Sequence, residues 1–203
     1  TCFLLIVFAG TIWSIVLYFT DSAAIHEAYL KAKTMPVPMQ GDHVRFSWCV
    51  AIAVIIATMT ITKETAKKIN LPLLLLTGWF ITYLHLLAAR TGLFTFYIFL
   101  AAFLVYQLVY VKRKKISLLI IITGLLLPVI AWFLFPTFQN RFKYLRYDFD
   151  FVKNSSYLPG ATDGNRLFSF KAGWQILKEN PGGVGAGDLR KAVNEWYEKN
   201  IPQ

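Results

Sequence analysis

Residues 71–135 read LPLLLLTGWFITYLHLLAARTGLFTFYIFLAAFLVYQLVYVKRKKISLLIIITGLLLPVIAWFLF. Three charge-free runs, 71–89, 93–111 and 116–135, are separated only by Arg90-Thr91-Gly92 and by the basic turn KRKK at 112–115. Each run is close to the ~20 residues that a helix needs to cross ~30 Å of hydrocarbon. Upstream, 1–19 and 46–62 are also free of Asp, Glu, Lys and Arg. The pattern predicts an all-α, polytopic transmembrane bundle over 1–135, with spans at 1–19, 46–62, 71–89, 93–111 and 116–135. A helical loop region at 136–203 follows it.

Composition agrees. Of 203 residues, 56% are hydrophobic and 16% charged, and the mean hydropathy is +0.50. Disorder, collagen, a coiled coil and an ordinary soluble domain are excluded. The net charge of +10 reads as membrane topology plus a basic outer face, because no nucleic-acid motif accompanies it. Cys2 and Cys49 lie in apolar runs and read as small buried hydrophobes. Thr1 opens inside an apolar run with no basic leader, and the polar tail stops at Gln203. Both features read as a fragment of a larger membrane protein, truncated at its C-terminal end.

Lys and Arg hold short loops in the cytoplasm. Loops 63–70 and 112–115 carry seven positive residues in 12 positions, whereas loop 20–45 and turn 90–92 carry four in 29. The first pair therefore faces the cytoplasm, and loop 20–45, turn 90–92 and everything after Phe135 face outward. Asn70 is placed to cap the third span, with Pro72 in its first turn. Pro128 interrupts the fifth. Trp48, Trp132, Phe133 and Phe135 fall near the outer ends, as an aromatic belt does.

In the tail, Phe138, Phe142, Leu145 and Phe149 repeat at helical spacing with Arg141, Lys143 and Arg146 between them. That pattern predicts an amphipathic helix on the membrane surface or packed on the end of the bundle. Residues 153–164 read as loop. Arg166, Phe170, Trp174 and Leu177 share one face of the next helix, capped by Asp163 or Asn165 and ended by Pro181. GGVGAG at 182–187 reads as a turn, and Asp188 as the cap of a last helix, 189–199.

Four groups carry the candidate chemistry. Arg90 is a guanidinium at the outer mouth of the bundle, either an interfacial anchor or a bidentate clamp on phosphate oxygens. His85 lies one turn below it, as a polar tie between helices or a proton relay. Asp42, His43 and Arg45 crowd the start of a span, where Asp42 fits a cap and His43 and Arg45 fit the wall of a polar site. Arg166 is either a solvated surface arginine or, with Phe170 and Trp174, part of a helical face that must pack onto something. No metal-ligand set stands out, no nucleophile triad or carboxylate pair is visible, and NPGGVGAGD lacks the Gly-Lys-Ser/Thr or GxGxxG pattern of a nucleotide loop.

One order of features carries a resemblance. Arg90-Thr91-Gly92 leads into a span, then come a basic turn, another span, and an outer loop bearing Asn165-Arg166-Leu167, Trp174, Ile176, Leu177, Lys178, Asn180-Pro181, Gly183-Val184-Gly185 and Gly187. This resembles the O-antigen ligase/polymerase superfamily, the Wzy/WaaL-type membrane glycosyltransferases, from about the third span to the end. The resemblance implies a GT-C-like fold in the bacterial inner membrane, with 136–203 periplasmic. It implies transfer or polymerisation of glycans carried on undecaprenyl diphosphate, in cell-surface polysaccharide synthesis, to a saccharide or lipid A-core acceptor. Neither metal nor other cofactor is implied. Arg90 and Arg166 then map onto the catalytic arginines at the diphosphate, with His43, Arg45, His85 and Trp174 as substrate-binding candidates. The family pattern continues to a His that this sequence lacks after Gly187, so half a site is expected here. The competing readings are a transporter or flippase of a lipid-linked glycan, and a scaffold whose tail binds a partner.

Overall fold

The structure, a computed structural model, describes residues 2–30, 33–39, 42–64, 70–154 and 163–201. Every regular element among them is helical: α1 (Cys2–Thr20), α2 (Ser22–Leu30), α3 (His43–Glu64), α4 (Leu71–Leu87), α5 (Arg90–Tyr106) continued by a π-turn (Gln107–Val111), α6 (Lys114–Leu134), α7 (Pro136–Asn154), α8 (Asp163–Glu179) and α9 (Leu189–Asn200). The chain forms two compact units, Thr1–Tyr29 with Lys33–Arg141, and Leu30–Ala32 with Phe142–Gln203. The boundary falls inside α7, a few residues beyond the expected one at 135/136.

In the first unit α3 is central, packed on α1, α4 and α5. Its buried face is built from Val50, Ala51, Ala53, Val54 and Ala57. Small side chains let helix backbones approach closely where lipid removes any hydrophobic drive between helices. Polar ties replace that drive. The Trp79 indole N–H donates to Thr11 Oγ1 at 2.8 Å, and the Tyr83 hydroxyl donates to Ser14 Oγ at 2.8 Å. Ser14 in turn donates to the Pro36 carbonyl at 2.5 Å. Leu5, Ile6, Phe19, Leu125 and Phe133 stay exposed, the expected outer face of a lipid-embedded bundle. Trp48 and Trp132 are exposed as well.

Among the described residues, four helices are long and apolar enough to cross a membrane: Cys2–Thr20, His43–Thr62, Arg90–Val111 and Lys114–Leu134. The expected third span, 71–89, is a shorter apolar helix of 17 residues. At ~1.5 Å per residue it reaches about 25 Å, so a count of five full spans does not follow. Residues 83–89 are all buried, and this end of α4 is enclosed by protein. As expected, Asn70 caps α4, its Oδ1 accepting from the Leu73 N–H at 3.3 Å, and Pro128 lies inside α6.

Three local expectations change. Loop 20–45 contains α2, started by Asp21, whose Oδ1 accepts from the Ala24 N–H at 3.4 Å. Cys2 is exposed. In α7, Phe138 is buried while Phe142 is half exposed, so the expected apolar stripe is not one buried face. The first turn of α7 docks on the bundle end: the Thr137 hydroxyl donates to the Leu86 carbonyl at 2.7 Å, and Asn140 Nδ2 donates to the His26 carbonyl at 3.0 Å. Phe149 as a side chain, most of loop 63–70 and most of 153–164 lie outside the described residues.

In the second unit α8 packs on α9. Gly164, Phe168, Ala172 and Ile176 are buried at four-residue spacing, facing Trp196, Tyr197 and Ile201. The connection turns at Gly183 and Gly185, with φ of 84° and 80°. These left-handed values suit only glycine without strain. α9 starts where expected, but the Asp188 side chain makes no capping bond.

Candidate functional site

At one end of the first unit α4 stops and α5 begins after two residues. Ala88 adopts the left-handed conformation (φ 48°, ψ 32°), and Ala89 is extended. The helix resumes at Arg90, not at 93 as expected, so Arg90-Thr91-Gly92 is the first turn of α5 and not a linking turn. The last carbonyls of α4 have no partner within the helix. Two side chains supply them: Thr137 takes Leu86, and the Tyr29 hydroxyl donates to Leu87 at 2.7 Å. Burial pushes the Tyr29 phenol well above its ordinary pKa, an effect the Met35 backbone only partly offsets. The hydroxyl therefore stays protonated as a donor.

The start of α3 lies against this turn. Ser47 Oγ, which donates to the Val44 carbonyl at 2.8 Å, is 3.3 Å from Thr91 Oγ1. Gly92 sits against Ser47 so closely that an added Cβ would lie 2.6 Å from the Ser47 Cβ. Segments 42–47 and 90–92, distant in sequence, thus form one end of the bundle.

The two helix starts differ. Asp42 caps α3 as expected, its Oδ1 accepting from the Arg45 N–H at 3.0 Å. Its other oxygen is 3.1 Å from Arg45 Nε. α5 has Ala89 at its cap position and no side-chain capping bond. Amides in an uncapped first turn, at the positive end of the helix dipole, suit an anion. Arg90 is exposed there, Arg45 is exposed, and His43 is half-buried at the start of α3.

His85 is 2% exposed. Its Nδ1 is 2.8 Å from the Ile81 carbonyl and its Nε2 is 2.9 Å from the Tyr97 hydroxyl. A carbonyl only accepts, so Nδ1 carries the proton, and in the neutral ring Nε2 accepts from Tyr97. Phe96, Tyr97 and Phe138 surround the ring. Nδ1 is bonded within α4 and Nε2 links α4 to α5, an arrangement that fits the interhelical tie.

In the second unit, Arg166 is exposed near the start of α8. Phe170 and Trp174 are exposed on the same face and stack with centroids 6.5 Å apart. Lys178 Nζ lies 5.6 Å from the Trp174 ring centroid. The predicted face 166/170/174/177 therefore exists as an exposed basic-aromatic strip, while the opposite face of α8 packs on α9.

Sequence reasoning missed Ser47, Tyr29 and Thr137. Tyr29 was hidden inside a presumed loop, although Asp21 and the helix-forming run SAAIHEAYL were a readable signal. Ser47 and Gly92 are the small-residue pair that close helix contacts require, but nothing in either segment names its partner.

No curated protein and no solved structure is significantly similar to this chain. A family model described as O-antigen ligase matches residues 73–203, from the first turn of α4 through α9. That match covers well over half of the sequence and contains both Arg90 and Arg166. This helical membrane protein therefore belongs to the O-antigen ligase family.

Proposed function

We propose that this protein transfers or polymerises a glycan carried on undecaprenyl diphosphate, at the periplasmic face of the bacterial inner membrane. In this reading Arg90 holds the diphosphate, Arg166 is the second arginine that the family resemblance assigns to the reaction, and residues 136–203 form the periplasmic region that admits the acceptor. The observation that carries it is the uncapped start of α5, opening on Arg90 beside the capped start of α3. In the transfer, an acceptor hydroxyl oxygen bonds to the sugar C1 and gives up its proton to water, while the bond between C1 and the phosphate oxygen breaks and the diphosphate leaves with the electron pair, so that negative charge grows on it. The Arg90 guanidinium and the first-turn amides stabilise that charge, at an interface where water is partly excluded. Arg45 and His43 line the same end and orient the phosphate or the first sugar. The Phe170–Trp174 pair of α8 offers flat apolar faces to sugar rings. His85 supports the site from beneath as a positioning residue.

The test is glycan transfer by the full-length protein carrying Arg90→Ala or Arg166→Ala. Each should lose at least a hundredfold in transfer at unchanged protein level. Near-normal transfer by both variants removes the assignment. The transporter reading needs polar groups open to a path at mid-membrane. Instead, the polar side chains buried in α1 and α4, Thr11, Ser14, Thr77 and His85, are all hydrogen-bonded within the protein.

A further inference from the structure

The opposite end of the first unit carries a separate cavity. It has a volume of about 550 Å³ and lies between the end of α3 and the π-turn after α5. Met59, Phe103 and Tyr106 supply apolar walls, and Thr62, Gln107 and Arg113 supply polar ones. The size is that of a small-molecule or lipid-chain site.

Gln107 is the decisive residue. It is 3% exposed and lines the cavity, yet its side-chain oxygen has no hydrogen-bond partner. A buried amide oxygen without a donor is destabilising, and a ligand that supplies the donor removes that cost. Gln107 begins the five-residue π-turn. π-turns inside α-helices cluster at functional sites. The turn closes with Lys112 in the left-handed conformation (φ 57°), and the Gln107 carbonyl accepts from the Arg113 N–H at 3.2 Å. Beside it, Lys112, Arg113, Lys114 and Lys115 are four consecutive exposed cations. A juxtamembrane run of that kind attracts anionic lipid headgroups.

We propose that this cavity binds one anionic glycerophospholipid whose headgroup carries hydroxyl donors, of the phosphatidylglycerol type. The headgroup phosphate lies on Arg113, a headgroup hydroxyl donates to Gln107 Oε1, and an acyl chain runs against Met59, Phe103 and Tyr106. The apolar walls separate this site from one for a free anion, and the missing donor on Gln107 separates it from a purely apolar groove. The site is independent of the catalytic reading, which concerns the other end of the bundle.

The full-length protein, delipidated in detergent, is offered dioleoylphosphatidylglycerol, dioleoylphosphatidylcholine or inorganic phosphate, and bound lipid is counted by native mass spectrometry. Thermal midpoints are read in parallel. The wild type should retain one phosphatidylglycerol, gain thermal stability from it, and resist displacement by phosphatidylcholine or phosphate. Gln107→Leu and Arg113→Ala should each weaken retention at least tenfold. Gln107→Leu should be no less stable than the wild type without lipid, since it removes the orphaned oxygen. Equal retention by the variants, displacement by inorganic phosphate, or no retention by folded wild-type protein each overturns the proposal.

Discussion

Ser47 and Gly92 join the two segments that form the Arg90 end of the bundle, and they do so with no room for a methyl group. An added Cβ on Gly92 meets Ser47 Cβ at 2.6 Å, Oγ at 2.9 Å and the Ser47 carbonyl at 3.0 Å. Overpacking of this kind costs about 1–3 kcal/mol. Gly92→Ala is expected to lower the thermal midpoint and to reduce glycan transfer by displacing Arg90. The double variant with Ser47→Gly should recover part of both, because two of the three close atoms disappear. Midpoint and transfer rate of the single and double variants check this.

The carbonyls that end α4 rest on hydroxyls from other elements. Tyr29→Phe and Thr137→Val each leave a buried carbonyl without its donor, at a cost of about 1–3 kcal/mol. Denaturant titration of each variant should show a loss in that range, with the two losses adding only roughly, since both act on the last turn of α4.

His85 and Tyr97 separate a structural tie from a proton relay. Tyr97→Phe removes the donor to Nε2. Interhelical hydrogen bonds in membranes are worth about 0.6 kcal/mol and at most about 1.7. A tie therefore predicts a small stability loss with glycan transfer within about threefold of wild type. A relay predicts that transfer collapses while the midpoint holds.

In the second unit, Gly183→Ala and Gly185→Ala force a Cβ into left-handed backbone, at about 1–2 kcal/mol each. Gly187, without positive φ and with nothing within 4 Å of an added Cβ, should accept alanine without effect. Limited proteolysis between α8 and α9 compares the three: cleavage should accelerate for the first two variants only.

The charge-free runs made the bundle legible, because lipid leaves so little choice of residue within a span. Arg90 was legible as an anomaly between two such runs. Its position was misjudged by a full turn, since charge marks where hydrocarbon ends and not where a helix begins. Ala88 in a left-handed conformation carries no glycine signal, so the tight turn could not be read. The pairing of Ser47 with Gly92 is a tertiary contact, invisible to local pattern. For α8, periodicity found both the exposed strip through Arg166 and Trp174 and the helix beneath it, but not which face packs. Phe168, Ala172 and Ile176 are buried on the opposite side, where α9 brings Trp196, Tyr197 and Ile201 to Phe168.

The central claim is that the guanidinium at the head of α5 grips a lipid diphosphate. Binding of undecaprenyl diphosphate to full-length protein, wild type against Arg90→Lys, measures it most directly. Lysine keeps the charge but loses the two-pronged geometry. The account predicts at least tenfold weaker binding by the lysine variant at an unchanged thermal midpoint. Wild-type affinity in that variant would contradict it.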